Sequence, residues 1–237
     1  MNMIEAPSPN HDERRLPVEI AVIHYTGMTS AAAALARMRD PEAKVSAHYM
    51  IAEDGNLVRL VPEERRAWHA GLGFWRGVRD VNSASIGIEL ANPGHEHGYM
   101  PFPDPQIATL EVLLADLLKR HAIRSENVIG HSDLAPGRKI DPGELFPWDR
   151  LAASGLAETK PDGGIDPRWS DKGFLTALRR FGYATDMAEA AVAAFQRRWR
   201  PATVDGHIDA DCRRILMALL KRHGPDAFIL GTHIAPA

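Results

Sequence analysis

The sequence predicts an α/β fold with a central mixed β-sheet flanked by helices, followed by a small three-helix domain. Short β-rich runs alternate with helical patterns over residues 1–154. A polar stretch containing glycine and proline covers residues 155–167, and only helical patterns follow it. The predicted organisation is therefore a first domain at residues 1–154, a linker at 155–167 and a helical domain at 168–237.

Five strands are predicted from short runs of the first domain. Residues 18–24 are rich in β-branched side chains, which is typical of a buried strand. Residues 45–62 predict two strands joined by Asp54-Gly55, a strong hairpin signal. Residues 84–91 and 127–130 predict the two remaining strands.

Helical patterns lie between these strands and after the linker. Residues 29–39 are rich in alanine, and Asp40-Pro41 ends that pattern. A long amphipathic helix begins at Asp104-Pro105 and carries leucines on one face: Leu110, Leu113, Leu114, Leu117 and Leu118. The helical domain carries three shorter patterns, at residues 172–181, 187–199 and 210–223.

The composition is that of an ordinary globular protein and excludes several classes of function. The 237 residues are 45% hydrophobic and 25% charged, and the formal net charge is -3. This charge provides no basic field for binding nucleic acid. The single cysteine, Cys212, excludes an intrachain disulfide and a cysteine-rich zinc cluster.

The first residues do not resemble an export signal. Residues 1–15 contain acidic side chains and no apolar core segment, and no early cysteine could carry a lipid anchor. No apolar stretch approaches the roughly 18–20 residues that span a bilayer. We therefore expect no membrane span, and the compartment stays open between the cytoplasm and an exported location.

Two histidines and one aspartate are candidate metal ligands. His24 ends the first predicted strand and His131 follows the last one, and α/β proteins place reactive groups at such strand ends. Asp141 lies in the loop GHSDLAPGRKIDPG, residues 130–143. Alone, each histidine would be interpreted as a hydrogen-bonded core residue, and an aspartate before a proline also fits a helix N-cap.

Taken together, the three residues predict a catalytic zinc site. Two neutral imidazoles and one carboxylate leave the fourth tetrahedral position open to water. Zinc lowers the pKa of such a water to about 7 and so provides a hydroxide nucleophile at neutral pH. A site of this kind also needs a general base and a group that stabilises an oxyanion.

Glu89 and Lys139 are the candidates for these two roles. Glu89 lies on an otherwise apolar strand, and strict alternation places it on the face opposite its large apolar neighbours. Lys139 lies two residues before Asp141, so in an extended segment both side chains point the same way. Without these neighbours, Glu89 would be interpreted as an outward-facing strand residue and Lys139 as a solvated loop lysine.

The order of several motifs resembles a known enzyme family. The segments VIHYTG, SAHYMIAEDG, RAWHAG, NSASIGIEL and GHSDLAPGRKIDPG follow one another within residues 18–152. Together they resemble the zinc-dependent N-acetylmuramoyl-L-alanine amidases of the AmpD and AmiD type. The resemblance implies a mixed sheet with zinc at one end, and hydrolysis of the amide bond between N-acetylmuramic acid and L-alanine.

The resemblance also implies a role for each candidate residue. The family's zinc ligands fall on His24, His131 and Asp141, its catalytic glutamate on Glu89 and its catalytic lysine on Lys139. The glutamate would take a proton from the attacking water and pass it to the leaving amine. Zinc and the lysine would stabilise the oxyanion.

Trp68 and His69, in the segment AWHAG, are predicted to line the substrate cleft. An aromatic face suits a sugar ring, although a buried tryptophan at a strand–loop junction is an equally common outcome. His48 is interpreted as a structural or outer-sphere residue. His95 and His97 resemble a chelating pair, which on a surface loop is more often incidental.

The helical domain resembles the three-helix peptidoglycan-binding module. It carries the signature D-G-x-x-D as residues 205–209. Such a module implies that the partner is polymeric peptidoglycan or a large fragment of it. The alternative is a plain helical cap on the first domain.

Two other functions stay open at this point. A non-catalytic peptidoglycan-recognition protein would bind muropeptides on the same fold, but such proteins typically lack a zinc ligand, and all three candidates are present here. A zinc peptidase acting on stem-peptide cross-links would use similar chemistry, although the sequence has no HExxH helix.

Overall fold

The computed structural model describes residues 3–224, so residues 225–237 of the predicted helical domain lie outside the described range. The strands in chain order are β1 (Met3–Glu5), β2 (His11–Glu13), β3 (Ile20–Tyr25), β4 (Tyr49–Ile51), β5 (Leu57–Arg59), β6 (Arg65–Ala67), β7 (Ser85–Leu90) and β8 (Val128–Gly130).

The helices in chain order are α1 (Ala31–Arg39), α2 (Val81–Ala84), α3 (Gly94–His97), α4 (Asp104–His121), α5 (His131–Leu134), α6 (Trp148–Ala153), α7 (Asp171–Phe181), α8 (Ala188–Trp199) and α9 (Ala210–His223). Each predicted strand and each predicted helical pattern corresponds to one of these elements, so these predictions are confirmed. Within residues 3–224, no helix is both long and apolar enough to cross a membrane.

The central sheet has the order β1-β5-β4-β7-β3-β8, and β2 and β6 form a separate antiparallel pair. The strands β4, β7, β3 and β8 are parallel, whereas β5 is antiparallel to β4. The sheet is therefore mixed, as predicted. The carboxyl ends of its parallel strands meet at one edge, which is where such sheets bind ligands.

One face of the sheet packs against α4. Ile86, Ile88 and Leu90 of β7 are buried in one apolar cluster with leucines of α4. The alternation predicted for β7 is thus confirmed, because Gly87 and Glu89 lie on the opposite face, towards the cleft.

The opposite face is covered in part by α1. Ala34 and Met38 of this helix are buried in a cluster with Met50 of β4 and Val58 of β5. Ser30 begins the helix, because its side chain accepts a hydrogen bond from the backbone N–H of Ala33. This cover lies over one half of the sheet and forms one wall of the cleft.

The helices α7, α8 and α9, which we call the helical unit, cover the other part of the same face. Phe174, Leu178 and Phe195 are completely buried in one cluster with Ile20 and Val22 of β3. The apolar core of the helical unit is therefore continuous with that of the sheet. The preceding residues 154–170, which include the predicted linker, carry no helix or strand.

The D-G-x-x-D signature forms the turn between α8 and α9. The side-chain oxygen of Gln196 accepts hydrogen bonds from the backbone N–H groups of Asp205 (3.0 Å) and Gly206 (2.8 Å). Asp209 begins α9, because its carboxylate accepts a hydrogen bond of 2.8 Å from the N–H of Cys212. The signature therefore has a clear architectural role in this chain.

The sequence patterns did not predict β1, β2 and β6. Each has three residues, which is too short to show an alternation of apolar and polar side chains. Arg14, which follows β2, explains part of their placement. Its guanidinium donates hydrogen bonds to the carbonyls of Glu63, Arg65 and Ser85, and so joins the first residues to the edge of the sheet.

We predict that Phe195→Ala lowers the free energy of unfolding by about 3–5 kcal/mol, because it leaves a cavity in the shared core. Urea unfolding followed by circular dichroism and by tryptophan fluorescence measures this change. The two probes are expected to give one common transition. The matched control is Val112→Ala on the exposed side of α4, which is expected to change stability by less than about 0.5 kcal/mol. Separate transitions for the helical unit and the sheet would contradict the shared core.

Candidate active site

Three potential ligand atoms converge at the carboxyl ends of β3 and β8. His24 Nδ1 lies 2.9 Å from His131 Nδ1 and 3.1 Å from Asp141 Oδ2, and the latter two atoms are 3.0 Å apart. All three residues are buried, and within the described chain they form a group that could hold a metal ion. The strands bring the two histidines together, and the loop after α5 brings the aspartate.

The outer nitrogen of His131 shows which tautomer the ring adopts. His131 Nε2 lies 3.0 Å from the carbonyl oxygen of Ala70, which can only accept a hydrogen bond. Nε2 therefore carries the hydrogen of the neutral ring, and the lone pair of Nδ1 faces Asp141 Oδ2. Two lone pairs at this distance repel each other unless a cation lies between them.

A chain of hydrogen bonds gives the same result for His24. The hydroxyl of Ser85 donates to the carbonyl of Val81 and therefore accepts from His69 Nε2 at 3.2 Å. His69 Nδ1 is then the acceptor for His24 Nε2, at 3.0 Å. This leaves the lone pair of His24 Nδ1 directed at the other two ligand atoms. Outer hydrogen bonds of this kind orient metal-binding histidines.

The charge states of the group suit a zinc ion. Burial, together with the neighbouring His131, lowers the pKa of His24 to about 4, so its ring is neutral at pH 7. Burial acts to raise the pKa of Asp141, but the two histidines hold it below its usual range. Neutral imidazoles and a carboxylate are typical zinc ligands, and at bond lengths of 2.0–2.1 Å their atoms would lie about 3.3 Å apart. The residues present therefore fit a zinc ion.

Asp141 does not cap a helix, so that part of its interpretation was wrong. Asp141 and Pro142 lie in a turn, and the next helix in the described chain, α6, begins at Trp148. Gly143 has a φ of 86°, in the left-handed region, which turns the chain away from a helical path. The backbone carbonyl of Asp141 accepts a hydrogen bond of 2.9 Å from Ser132, which ties the two ends of the loop together.

Glu89 lies beside this group. It is paired in register with His24 on the neighbouring strand and lines the same cleft. Its Oε2 atom is enclosed and has no hydrogen-bond partner among residues 3–224. Burial and the charge of Asp141 raise the pKa of Glu89 to about 8. A cation held by the three ligands would act in the opposite direction and favour the ionised carboxylate.

The basic side chains of the loop differ in their contacts. Lys139 is exposed, lines the cleft and acts to lower the pKa of Glu89. Arg138 donates hydrogen bonds to the carbonyls of Ala70 and Leu72. Arg138 thus fastens the loop to the segment that follows β6.

The cleft has a volume of about 700 Å³ and lies between α1 and the loop of residues 137–141. Trp68 is half-buried in its wall, and His69 is 8% exposed. Both predicted substrate residues therefore line the cleft, although His69 also bonds to His24. Gly87 lies directly beneath the His69 ring, where a Cβ atom would come within 2.3 Å of it.

Two parts of the site were missed from the sequence. Ser85 is one of them. The alternation of side chains along β7 could have identified it, because Ser85 shares the cleft-facing side with Gly87 and Glu89. The other is the part of the cleft wall around His95. Its ring stacks on the ring of Tyr99, with 4.2 Å between the ring centroids.

The contacts of His95 differ from the chelating pair that the sequence suggested. His95 Nδ1 lies 2.9 Å from the hydroxyl of Tyr25, and its Nε2 lies 3.2 Å from the carboxylate of Glu144. His97 is exposed and lies on the same short helix as His95, α3. His48, in contrast, is buried and accepts a hydrogen bond from the N–H of Gly87, which agrees with the structural role expected for it.

Comparisons with known proteins agree with this geometry. The family model described as N-acetylmuramoyl-L-alanine amidase matches residues 14–144. The chain is 36% identical to the N-acetylmuramoyl-L-alanine amidase AmiD of Escherichia coli K12, over 88% of this chain and 84% of that protein. It is 40% identical to the 1,6-anhydro-N-acetylmuramyl-L-alanine amidase AmpD of Enterobacter cloacae, over 46% of this chain and 56% of that protein.

Solved structures extend the similarity to the helical unit. The complex of Escherichia coli AmiD with the substrate anhydro-N-acetylmuramic acid-L-Ala-D-gamma-Glu-L-Lys matches with a TM-score of 0.79 and 34% identity, over 93% of each chain. AmpDh3 of Pseudomonas aeruginosa in complex with anhydromuramic pentapeptide matches with a TM-score of 0.74 and 31% identity, over 86% of this chain and 92% of that one. The chain therefore belongs to the N-acetylmuramoyl-L-alanine amidase family.

Proposed function

We propose that the protein hydrolyses the amide bond between N-acetylmuramic acid and L-alanine, with one zinc ion held by His24, His131 and Asp141. The protein is an N-acetylmuramoyl-L-alanine amidase, a hydrolase of peptidoglycan turnover, because the family and both curated relatives are amidases.

One observation carries this proposal. The lone pairs of three buried ligand atoms point at one another, and an enclosed carboxylate oxygen of Glu89, without a partner in the described residues, lies beside them. A purely structural carboxylate would be hydrogen-bonded. A non-catalytic recognition protein would need neither feature, and the amidase relatives favour the enzyme over that alternative.

In the proposed mechanism, one side chain of the cleft transfers a proton and another stabilises a negative charge. Bound zinc would supply a Lewis acid that polarises the scissile carbonyl and acidifies the attacking water. Glu89 takes the proton of that water and then donates it to the nitrogen of the leaving L-alanine. The ammonium group of Lys139, on the rim of the cleft, stabilises the negative charge that develops on the carbonyl oxygen.

The substrate is a muropeptide or a larger peptidoglycan fragment. The complexes of AmiD and AmpDh3 with anhydromuramic peptides support a substrate of this class. The volume of about 700 Å³ is within the range of sites that enclose small ligands. Trp68 offers an aromatic face to a sugar ring, and His69 contributes to the same wall.

The helical unit is proposed to contact peptidoglycan next to the cleft, which would make residues 168–237 a binding domain beside a catalytic domain at residues 1–154. A groove of about 510 Å³ lies between the start of α8 and the turn at Asp205-Gly206. Gly137, which lines the cleft, packs against Met187 and Ala190 at the edge of this groove. A long fragment could therefore occupy both concave surfaces.

We predict that Glu89→Gln lowers kcat by about 100- to 10,000-fold, because the amide cannot accept the proton of the attacking water. The zinc content of the purified variant is expected to equal that of the wild type. Mass spectrometry of released stem peptides measures turnover, and elemental analysis measures zinc. The control Glu53→Gln, at an exposed position of the β4–β5 hairpin, keeps wild-type turnover. Full activity of Glu89→Gln would exclude it as the base.

A second prediction concerns the metal. A chelator is expected to abolish activity, and added zinc to restore it, because zinc is required for the reaction. Since zinc binds the folded chain, it also raises the free energy of unfolding, by about 2.7 kcal/mol at a concentration 100 times its Kd. His131→Ala is expected to lose the zinc, whereas His97→Ala, at an exposed histidine, retains it. Activity that persists in the zinc-free protein would refute the mechanism.

A third prediction concerns the groove on the helical unit. Ala193→Phe places a large side chain in the groove, so less protein is expected to sediment with insoluble sacculi. Ala115→Phe makes the same change on the exposed side of α4 and is expected to sediment like the wild type. Thermal unfolding shows that both variants are folded. Equal sedimentation of the two variants would remove the groove from the binding surface.

A further inference from the structure

Asp133 is a buried carboxylate in the short helix that begins with the candidate ligand His131. It is 1% exposed, and its Oδ2 atom accepts a hydrogen bond of 2.8 Å from the backbone N–H of Gly130. This bond holds the peptide unit between Ile129 and Gly130, which precedes the Gly130–His131 peptide bond. The orientation of α5, and with it the His131 ring, therefore depends on where the Asp133 carboxylate lies.

The second oxygen of this carboxylate is held by the helical unit. The hydroxyl of Tyr183, in the segment between α7 and α8, donates a hydrogen bond of 2.6 Å to Asp133 Oδ1. Tyr183 is completely buried, and its ring packs against Trp75 at 5.2 Å and Phe195 at 6.1 Å. These contacts fix the position of the hydroxyl.

Arg198 of α8 supplies the charge next to this carboxylate. Its Nη1 atom lies 3.8 Å from Asp133 Oδ2 and donates a hydrogen bond of 3.1 Å to the carbonyl of Val128, on β8. Its guanidinium lies over the Trp148 ring at 3.5 Å from the ring centroid. Arg198 thus connects the helical unit to the strand that leads into His131.

We propose that Tyr183 and Arg198 are positioning residues for residues 130–143, the metal-binding loop. They act on His131 through Asp133. The inference rests on the proposed metal set. The helical unit then has a second role besides contact with peptidoglycan. Its side chains, which lie after the predicted linker, hold the metal-binding loop in place. Metal affinity and turnover then depend on the helical unit even for small soluble substrates.

Packing alone does not account for this arrangement. A buried carboxylate is unfavourable unless hydrogen bonds and opposite charge compensate it, and an apolar residue would fill the same space without partners. When one partner is removed, the carboxylate has to move or stay unsatisfied. Its remaining hydrogen bond is to the N–H of Gly130, so such a movement is transmitted to the backbone that leads into His131.

The test compares two tyrosine-to-phenylalanine variants of the full chain. Tyr183→Phe removes the hydroxyl that binds Asp133 and keeps the ring. Tyr49→Phe removes the hydroxyl that binds Glu63, also at a buried tyrosine, but on the face of the sheet that packs against α4. Zinc affinity is measured by competition with a chromophoric chelator, kcat and KM with a soluble muropeptide, and folding by thermal denaturation.

Tyr183→Phe is expected to weaken zinc binding by about tenfold, the lower end of the range for residues that orient metal ligands. Its kcat is expected to fall while KM changes little, and Tyr49→Phe is expected to keep wild-type zinc affinity. If Tyr183→Phe binds zinc as the wild type does, or loses no more affinity than Tyr49→Phe, the inference is wrong. A wild-type chain without zinc would instead refute the proposed function, and this inference with it.

A double-mutant comparison separates the route through Asp133 from a general loss of stability. In an Asp133→Asn background, Tyr183→Phe is expected to reduce zinc affinity by clearly less than tenfold, because residues that act through a shared contact are not additive. An undiminished effect in that background would show that Tyr183 does not act through Asp133 and would overturn the proposed route.

Discussion

The convergence of three lone pairs, from His24, His131 and Asp141, is the constraint on which the rest of the structure depends. Atoms of this kind repel one another unless a cation or a proton lies between them, so the surrounding protein has to hold them together. It does so through the outer nitrogen of each histidine, through His69 on one side and the Ala70 carbonyl on the other. The parallel pairing of β3 with β7 then brings Glu89 to the same place.

The sequence was sufficient for the elements whose side chains follow a regular period. The alternation along residues 85–90 correctly separated the face of Glu89 from the face that packs on α4, and Asp54-Gly55 correctly marked a hairpin. The three-residue strands β1, β2 and β6 could not be predicted, because their pairing depends on distant contacts such as those of Arg14. Local patterns carry no information about such contacts.

The candidate site shows the same division. Residue types and strand ends predicted the group that the structure brings together in one cleft. The bond between Asp133 and Tyr183 could not be predicted, because both are ordinary residues and each depends on a partner far along the chain. Asp141 illustrates the opposite error, since a local capping pattern suggested a helix where Asp141 and Pro142 form a turn. The separation between a catalytic part and a helical part, clear in the sequence, is crossed by one continuous apolar core.

Gly87 gives this site a consequence that extends beyond its polar residues. The His69 ring rests on the bare backbone of β7, closer than any side chain would permit. The sheet itself is thus part of the scaffold that sets the tautomer of a candidate metal ligand, at a position with no side chain. A variant with a single methyl group at residue 87 would resemble a metal-site mutant in its behaviour while every chemical group of the active site remained present.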